Sequence, residues 1–147
     1  MKRAVAFDVG THTIGVAQSD VMKMLAQPIK TFRYQEAEWA VAFKAIFEQL
    51  ELKSIDVYVV GYPKMMNNSL GESAKRSERF AQELADYIKL VWVGAEIEII
   101  LQDERLTTVQ AEKILVSLDM SRKKRKAVID TVAAVLILED YLQSQKK

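Results

Sequence analysis

Cysteine is absent from this 147-residue chain, and histidine occurs once, at His12. Disulfides and thiolate metal sites are therefore excluded, and a histidine-rich zinc site has no ligands to draw on. Any metal chemistry must use oxygen ligands and a hard cation such as Mg2+ or Mn2+. Glycine and proline are scarce, at five and two residues, and half of the chain is hydrophobic, which excludes a disordered protein. Net charge is missing as well, since 21 basic residues face 20 acidic ones. Bulk electrostatics thus make no case for nucleic acid, and such a case must rest on local clusters. No apolar run is long enough to span a membrane, and the N-terminus lacks a signal-peptide pattern. The expectation is a soluble cytoplasmic protein with no membrane partner. Its length fits one domain, residues 1–147, able to bury about two-thirds of its unfolded surface in a single core.

What is present is organised around Ala4–Ala17, AVAFDVGTHTIGVA. Ala4-Val5-Ala6-Phe7 is wholly apolar, as a central strand buried on both faces would be. The run stops on Asp8 and turns through Gly10-Thr11-His12 into a second strand, Ile14–Ala17. A carboxylate beside a buried strand is costly unless something pairs with it, so Asp8 reads as a cation ligand or as an Asx turn closing the hairpin.

Beyond the hairpin, Ser19–Gln27 reads as irregular and Ile29–Tyr34 as a third strand. Glu36–Leu50 has helical apolar spacing through Trp39, Phe43, Ile46, Phe47 and Leu50. Ile55–Val60, apolar but for Asp56, is a second such strand, expected to lie parallel to the first. After the polar stretch Gly61–Leu70, Ser69-Leu70-Gly71-Glu72 has the form of a capping box that starts a helix near Leu70. Lys75, Arg76 and Arg79 crowd its first turns, which suits phosphate contact as well as ordinary surface charge. Glu96–Gln102 is a further strand ending in Asp103-Glu104-Arg105. A helix capped by Thr107 or Thr108 should then bury Ala111, Ile114, Leu115 and Leu118. Ser121–Lys126 reads as a flexible basic connector before a last helix that runs to about Leu142. The order implies an α/β protein whose mixed, five-stranded sheet carries helices on both faces.

Asp8 and the pair Asp103-Glu104 end strands, and strand alternation turns only one of that pair toward a given face. Asp130 shares a helical face with Ala133, Ala134, Ile137 and Tyr141, a buried stripe whose alanines permit close approach to the sheet. In open α/β sheets, ligands bind beyond the carboxyl ends of the strands. Carboxylates converging there repel one another unless a divalent cation neutralises them. Two Mg2+ ions held about 4 Å apart serve in-line phosphoryl displacement. The run Arg122-Lys123-Lys124-Arg125-Lys126 opposes the helix macrodipole at about 0.3–1 kcal/mol per exposed charge, a placement that phosphate binding would explain. Lys126 lies one turn before Asp130 and so on its face.

Four stretches taken together resemble the YqgF family, described as Holliday-junction resolvase-like proteins or pre-ribosomal-RNA nucleases: FDVGTHTIGVAQSD, VVGYPKMMNNSLG, DERLTTVQA and KKRKAVIDTVAAVLIL. The resemblance spans nearly the whole chain. It implies a ribonuclease H-like fold and a divalent-metal nuclease that uses Mg2+ or Mn2+. By position it assigns the metal-binding, catalytic acids to Asp8, Glu104 and Asp130. Arg105 and Lys126 fall in its motifs and, with Lys124, Arg125 and Arg76, are the candidate nucleic-acid contacts. The family pattern often carries two basic residues where this chain has His12-Thr13, and an apolar residue where it has Lys64.

The implied substrate is the precursor of 16S ribosomal RNA, with four-way DNA junctions as the alternative for the same acids. Junction cutting favours two symmetric sites and hence a homodimer, although monomer and dimer both fit the sequence. A non-catalytic RNA-binding assembly factor is a third reading, in which the acids are structural. Actin-like kinases share the Asp-x-Gly-Thr hairpin, but they need a second related domain that is not found here.

Overall fold

The computed structural model describes residues 1–35, 39–63, 71–103, 113–118 and 121–146, and of residues 122–128 the backbone alone. Three antiparallel strands open the chain, β1 (Arg3–Val9), β2 (Thr13–Ser19) and β3 (Ala26–Arg33). Helix α1 (Trp39–Gln49) leads to β4 (Ile55–Tyr62), helix α2 (Glu72–Val91) to β5 (Glu98–Asp103), and α3 (Arg122–Ser144) closes the described chain. The strands form one five-stranded sheet in the order β3-β2-β1-β4-β5. β4 lies parallel to β1 and β5 parallel to β4, as crossovers through helices require.

The apolar β1 is divided by side-chain volume. Val5, Phe7 and Val9 point to one face, where α1 and α2 cover them with Trp39, Phe43, Ile46, Phe80, Leu84 and Ile88. Phe80 is the centre of that layer, with ring centroids 5.2 Å from Phe7, 5.5 Å from Trp39 and 5.3 Å from Phe43. Ala4 and Ala6 point the other way and, with Ala17, Val57 and Val59, meet Ala134, Ile137, Leu138 and Tyr141 of α3. Bulky side chains thus hold two helices off one face, while small ones let α3 come close to the other.

Several boundaries differ from the sequence reading. β3 begins at Ala26 and contains Pro28, which an edge strand tolerates because its missing N–H faces no neighbour. The register shift between Val16 and Ala17 falls opposite that proline. The N-cap of α2 is Gly71, in extended conformation and with no side-chain cap bond, so the helix starts at Glu72. The other residues of the expected capping box, Ser69 and Leu70, lie outside the described residues, as do Lys64, Thr107, Thr108 and Ala111. The basic run is not a connector: α3 already begins at Arg122. Lysine and arginine are good helix formers, and the turns packed on the sheet supply a nucleus from which the helix extends backwards. Ile114 and Leu118 are 41% and 64% exposed, and only Leu115 of that expected stripe is buried among the described residues. Among the described residues, 113–117 are helical, and of these only Leu115 is buried.

The β2–β3 loop is tied by Asp20, whose carboxylate accepts backbone N–H bonds from Met24 at 2.8 Å, Leu25 at 2.9 Å and Met22 at 3.2 Å. These bonds, that of Leu25 foremost and then that of Met24, hold its pKa below the ordinary carboxylate value. A depressed folded pKa contributes stability above the unfolded pKa and loses it as pH falls through the folded one. The amide resonances of Met24 and Leu25 are therefore expected to titrate below about pH 4. Asp20→Ala should abolish that titration, and a loop unaffected by acid in the wild type would refute the account.

Candidate active site

Asp8 follows Ala4 and Ala6 on the α3 side of β1, near the strand's carboxyl end, and is only 8% exposed. Its partner across the antiparallel ladder is Gly15, so the two share a face. A Cβ at Gly15 would run into the backbone carbonyl of Asp130 and stand 2.9 Å from the Thr131 nitrogen. The helix backbone thus rests directly on the strand at this point, and only glycine leaves room for it. Asp8, the ladder partner of Gly15, therefore lies on the face of the sheet on which the backbone of Asp130 rests.

Hydrogen bonds secure the approach. The Thr13 hydroxyl, two residues along the same face as Gly15, donates to Asp130 Oδ2 at 2.6 Å. One residue further along the helix, the hydroxyls of Thr131 and Thr31 share a hydrogen bond, which ties α3 to β3 as well. The turn between β1 and β2 is closed by the Gly10 N–H donating to the Thr13 carbonyl at 2.7 Å. Tyr34, just past β3, braces it twice: its backbone N–H donates to the His12 carbonyl at 3.0 Å, and its hydroxyl donates to the Gly10 carbonyl.

Thr13→Val keeps the shape and deletes the donor to a half-buried carboxylate. It is expected to cost about 1–2 kcal/mol in urea unfolding, while Thr13→Ser costs markedly less. Equal stability of the two variants would show that the bond contributes nothing.

Of the other residues expected at the site, Glu104 and Arg105 lie outside the described residues. Lys124, Arg125 and Lys126 occupy the first turns of α3, one to two turns before Asp130, with only their backbone described. Arg76 is not beside the two acids. It lines a cavity of about 300 Å³ together with Thr11 and His12 of the hairpin tip, against the α1–α2 side of the sheet. Among the described residues, no group of three His, Cys, Asp or Glu could hold a metal ion. Sequence reasoning missed Thr13, Gly15 and Thr131. A glycine inside an otherwise apolar strand was the available signal, because it marks close approach of another backbone.

A three-stranded meander extended by two parallel strands, with an acid near the end of its first strand and another on the helix packed behind it, defines a ribonuclease H-like fold. Two solved structures share it: Thermus thermophilus RuvC in complex with a Holliday junction substrate and the Fowlpox virus resolvase with Holliday junction DNA. RuvC superposes with a TM-score of 0.54 at 11% identity, covering 99% of this chain and 97% of its own. The viral enzyme gives 0.52 at 13% identity, with 99% of both chains covered. At such identities the likeness establishes the fold alone. Residues 2–144 match the family model RuvX: Holliday junction resolvase, and the chain belongs to that family. A relative from Halalkalibacterium halodurans is 44% identical over 98% of both chains, and one from Bacillus cytotoxicus is 42% identical over 97% of this chain and 99% of its own. Both are provisionally named pre-16S rRNA nucleases. No described helix is long and apolar enough to cross a membrane.

Proposed function

We propose that this protein is a divalent-metal-dependent nuclease that matures the precursor of 16S ribosomal RNA in the cytoplasm, with Asp8, Glu104 and Asp130 as its metal-binding acids. The observation that carries the reading is that Asp8 shares a sheet face with Gly15, on which the helix backbone at Asp130 is packed with no side chain between them. Membership of a nuclease family supports hydrolysis of a phosphodiester. Glu104 is taken as the third acid from the family pattern. Ile100 lies in the α3-side cluster and Ile99 in the opposite one, so Asp103 has the parity of the face away from Asp8, which speaks against it as the partner.

The donor set fits a hard cation. It consists of carboxylate oxygens, with no sulfur in the chain and a lone histidine whose side chain is exposed at the hairpin tip. Mg2+ or Mn2+ bound there would supply charge to activate water and to stabilise the leaving oxygen. The chain's own contribution is placement. Thr13 fixes one oxygen of Asp130, which leaves the other to turn toward the site. The burial of Asp8 keeps its charge from being diluted by solvent. Arg105, Lys124, Arg125 and Lys126 are assigned to backbone phosphates, on the ground of their charge and their nearness in sequence to two of the acids.

The test offers a ribosomal-RNA precursor and a four-way DNA junction to wild type, Asp8→Asn, Glu104→Gln and Asp130→Asn, with Mg2+ or Mn2+. Cleavage of the precursor by wild type, with all three variants binding and failing to cut, is expected. Cleavage of the junction alone would transfer the same site to the second substrate, which the family model's description favours. A variant that cuts as fast as wild type would remove its residue from the site.

A further inference from the structure

We infer that the cavity between the hairpin tip and α2 is a subsite for one nucleotide of single-stranded RNA, on the side of the sheet opposite the acids. Its volume of about 300 Å³ is at the lower end of small-molecule pockets and suits a single nucleotide. The inference rests on the reading of the protein as an RNA nuclease and adds to it a second contact with the substrate.

Arg76 and Arg79 line the cavity from the second turn of α2 onward. Arg76 is half-buried, and among the described residues neither guanidinium forms an ion pair, although Glu72 and Glu83 share the wall. A partly desolvated guanidinium with free donors is matched by a phosphate, which takes bidentate bonds. Arg79 is exposed and lies over the Trp39 ring, 5.6 Å from its centroid, a cation–π contact that orients its fork.

The opposite wall is aromatic. Tyr34 lines the cavity; its hydroxyl holds the ring to the Gly10 carbonyl and its backbone N–H holds the residue to the His12 carbonyl, so a base stacking on it finds an anchored platform. Glu72 and Glu83 add acceptors for base amino groups. Two cations balanced by two acids make a poor site for a bare anion. A ligand with a phosphate, an aromatic ring and amino donors uses all of them. Thr11 and His12 form the rim nearest Asp8, which stands two residues before Gly10 in the same hairpin. A strand whose scissile phosphate sits at the acids could thus reach the cavity by crossing the hairpin tip.

The experiment uses the full chain in EDTA, so that neither metal nor cleavage contributes. A five-residue single-stranded RNA is titrated while the His12 ring and Trp39 indole resonances are followed by NMR. Both should shift on binding, and Arg76→Gln should weaken that affinity about 10-fold with an unchanged melting temperature. The double variant Arg76→Gln/Arg79→Gln should weaken it further. Shifts confined to α3, or an Arg76→Gln affinity equal to wild type, would overturn the subsite. Either result leaves the acids' role in cutting to stand or fall on the cleavage assay.

Discussion

Asp8→Asn is expected to slow cleavage by about 10³-fold or more while leaving the fold intact. Asparagine preserves the shape and keeps one carbonyl oxygen as an acceptor, but it removes the charge. A loss of roughly 4 kcal/mol of transition-state stabilisation corresponds to such a factor, and the charge a metal brings to the reaction is of that size. Stability should move the other way. Asp8 is only 8% exposed, and burying a charge costs more than burying a neutral amide of the same shape. Removing the charge should leave the metal-free melting temperature equal or higher, as often happens when functional sites are neutralised. Added Mg2+ at about 100 times its dissociation constant should stabilise the wild type by about 2.7 kcal/mol and the variant by much less. Thermal unfolding with and without Mg2+, beside single-turnover cleavage, tests both halves. Equal stabilisation of the two proteins by Mg2+ would remove Asp8 from the metal site.

Gly15→Ala is expected to destabilise the protein by about 3 kcal/mol, near the upper end of overpacking costs. The added methyl meets backbone atoms of Asp130 and Thr131, which cannot rotate away as a side chain would. Relief requires α3 to lift from β2. That movement stretches the bond from Thr13 to Asp130 and the bond between Thr31 and Thr131. Protein that still folds should therefore lose activity beyond its loss of stability, because Asp130 has moved from Asp8. Gly10→Ala is the comparison: its methyl would stand 3.1 Å from a hydroxyl of Thr13, a group that can shift, so the cost is smaller. Urea unfolding and cleavage at a temperature where both variants are folded give the two readouts. A Gly15→Ala protein as stable and active as wild type would show that the helix does not depend on this contact.

Much of this protein was legible in its sequence because burial leaves a pattern. The apolar runs at Ala4–Phe7 and Ile55–Val60, the second broken only by Asp56, indicated central strands, and their apolar residues are buried. The helical spacing from Trp39 to Leu50 indicated the face that meets Phe80 and Phe7. Asp130 was recognisable in phase with Ala133, Ala134, Ile137 and Tyr141, all buried residues of α3. Periodicity could not mark where helices begin. The lysines and arginines of 122–126 look like a solvated connector, yet they continue a helix whose stability comes from packing several turns away.

The sequence by itself therefore determined which segments are strands and helices, which faces are apolar, and which acids stand out of place, since all of these depend on near neighbours in the chain. Only the tertiary structure decided how Asp8 and Asp130 meet. Residues 122 positions apart are brought together by a missing side chain at Gly15 and by the hydroxyls of Thr13 and Thr131, groups that mark no periodicity and bear no charge. Close approach of two backbones is a property of the pair, so it is written in neither segment alone.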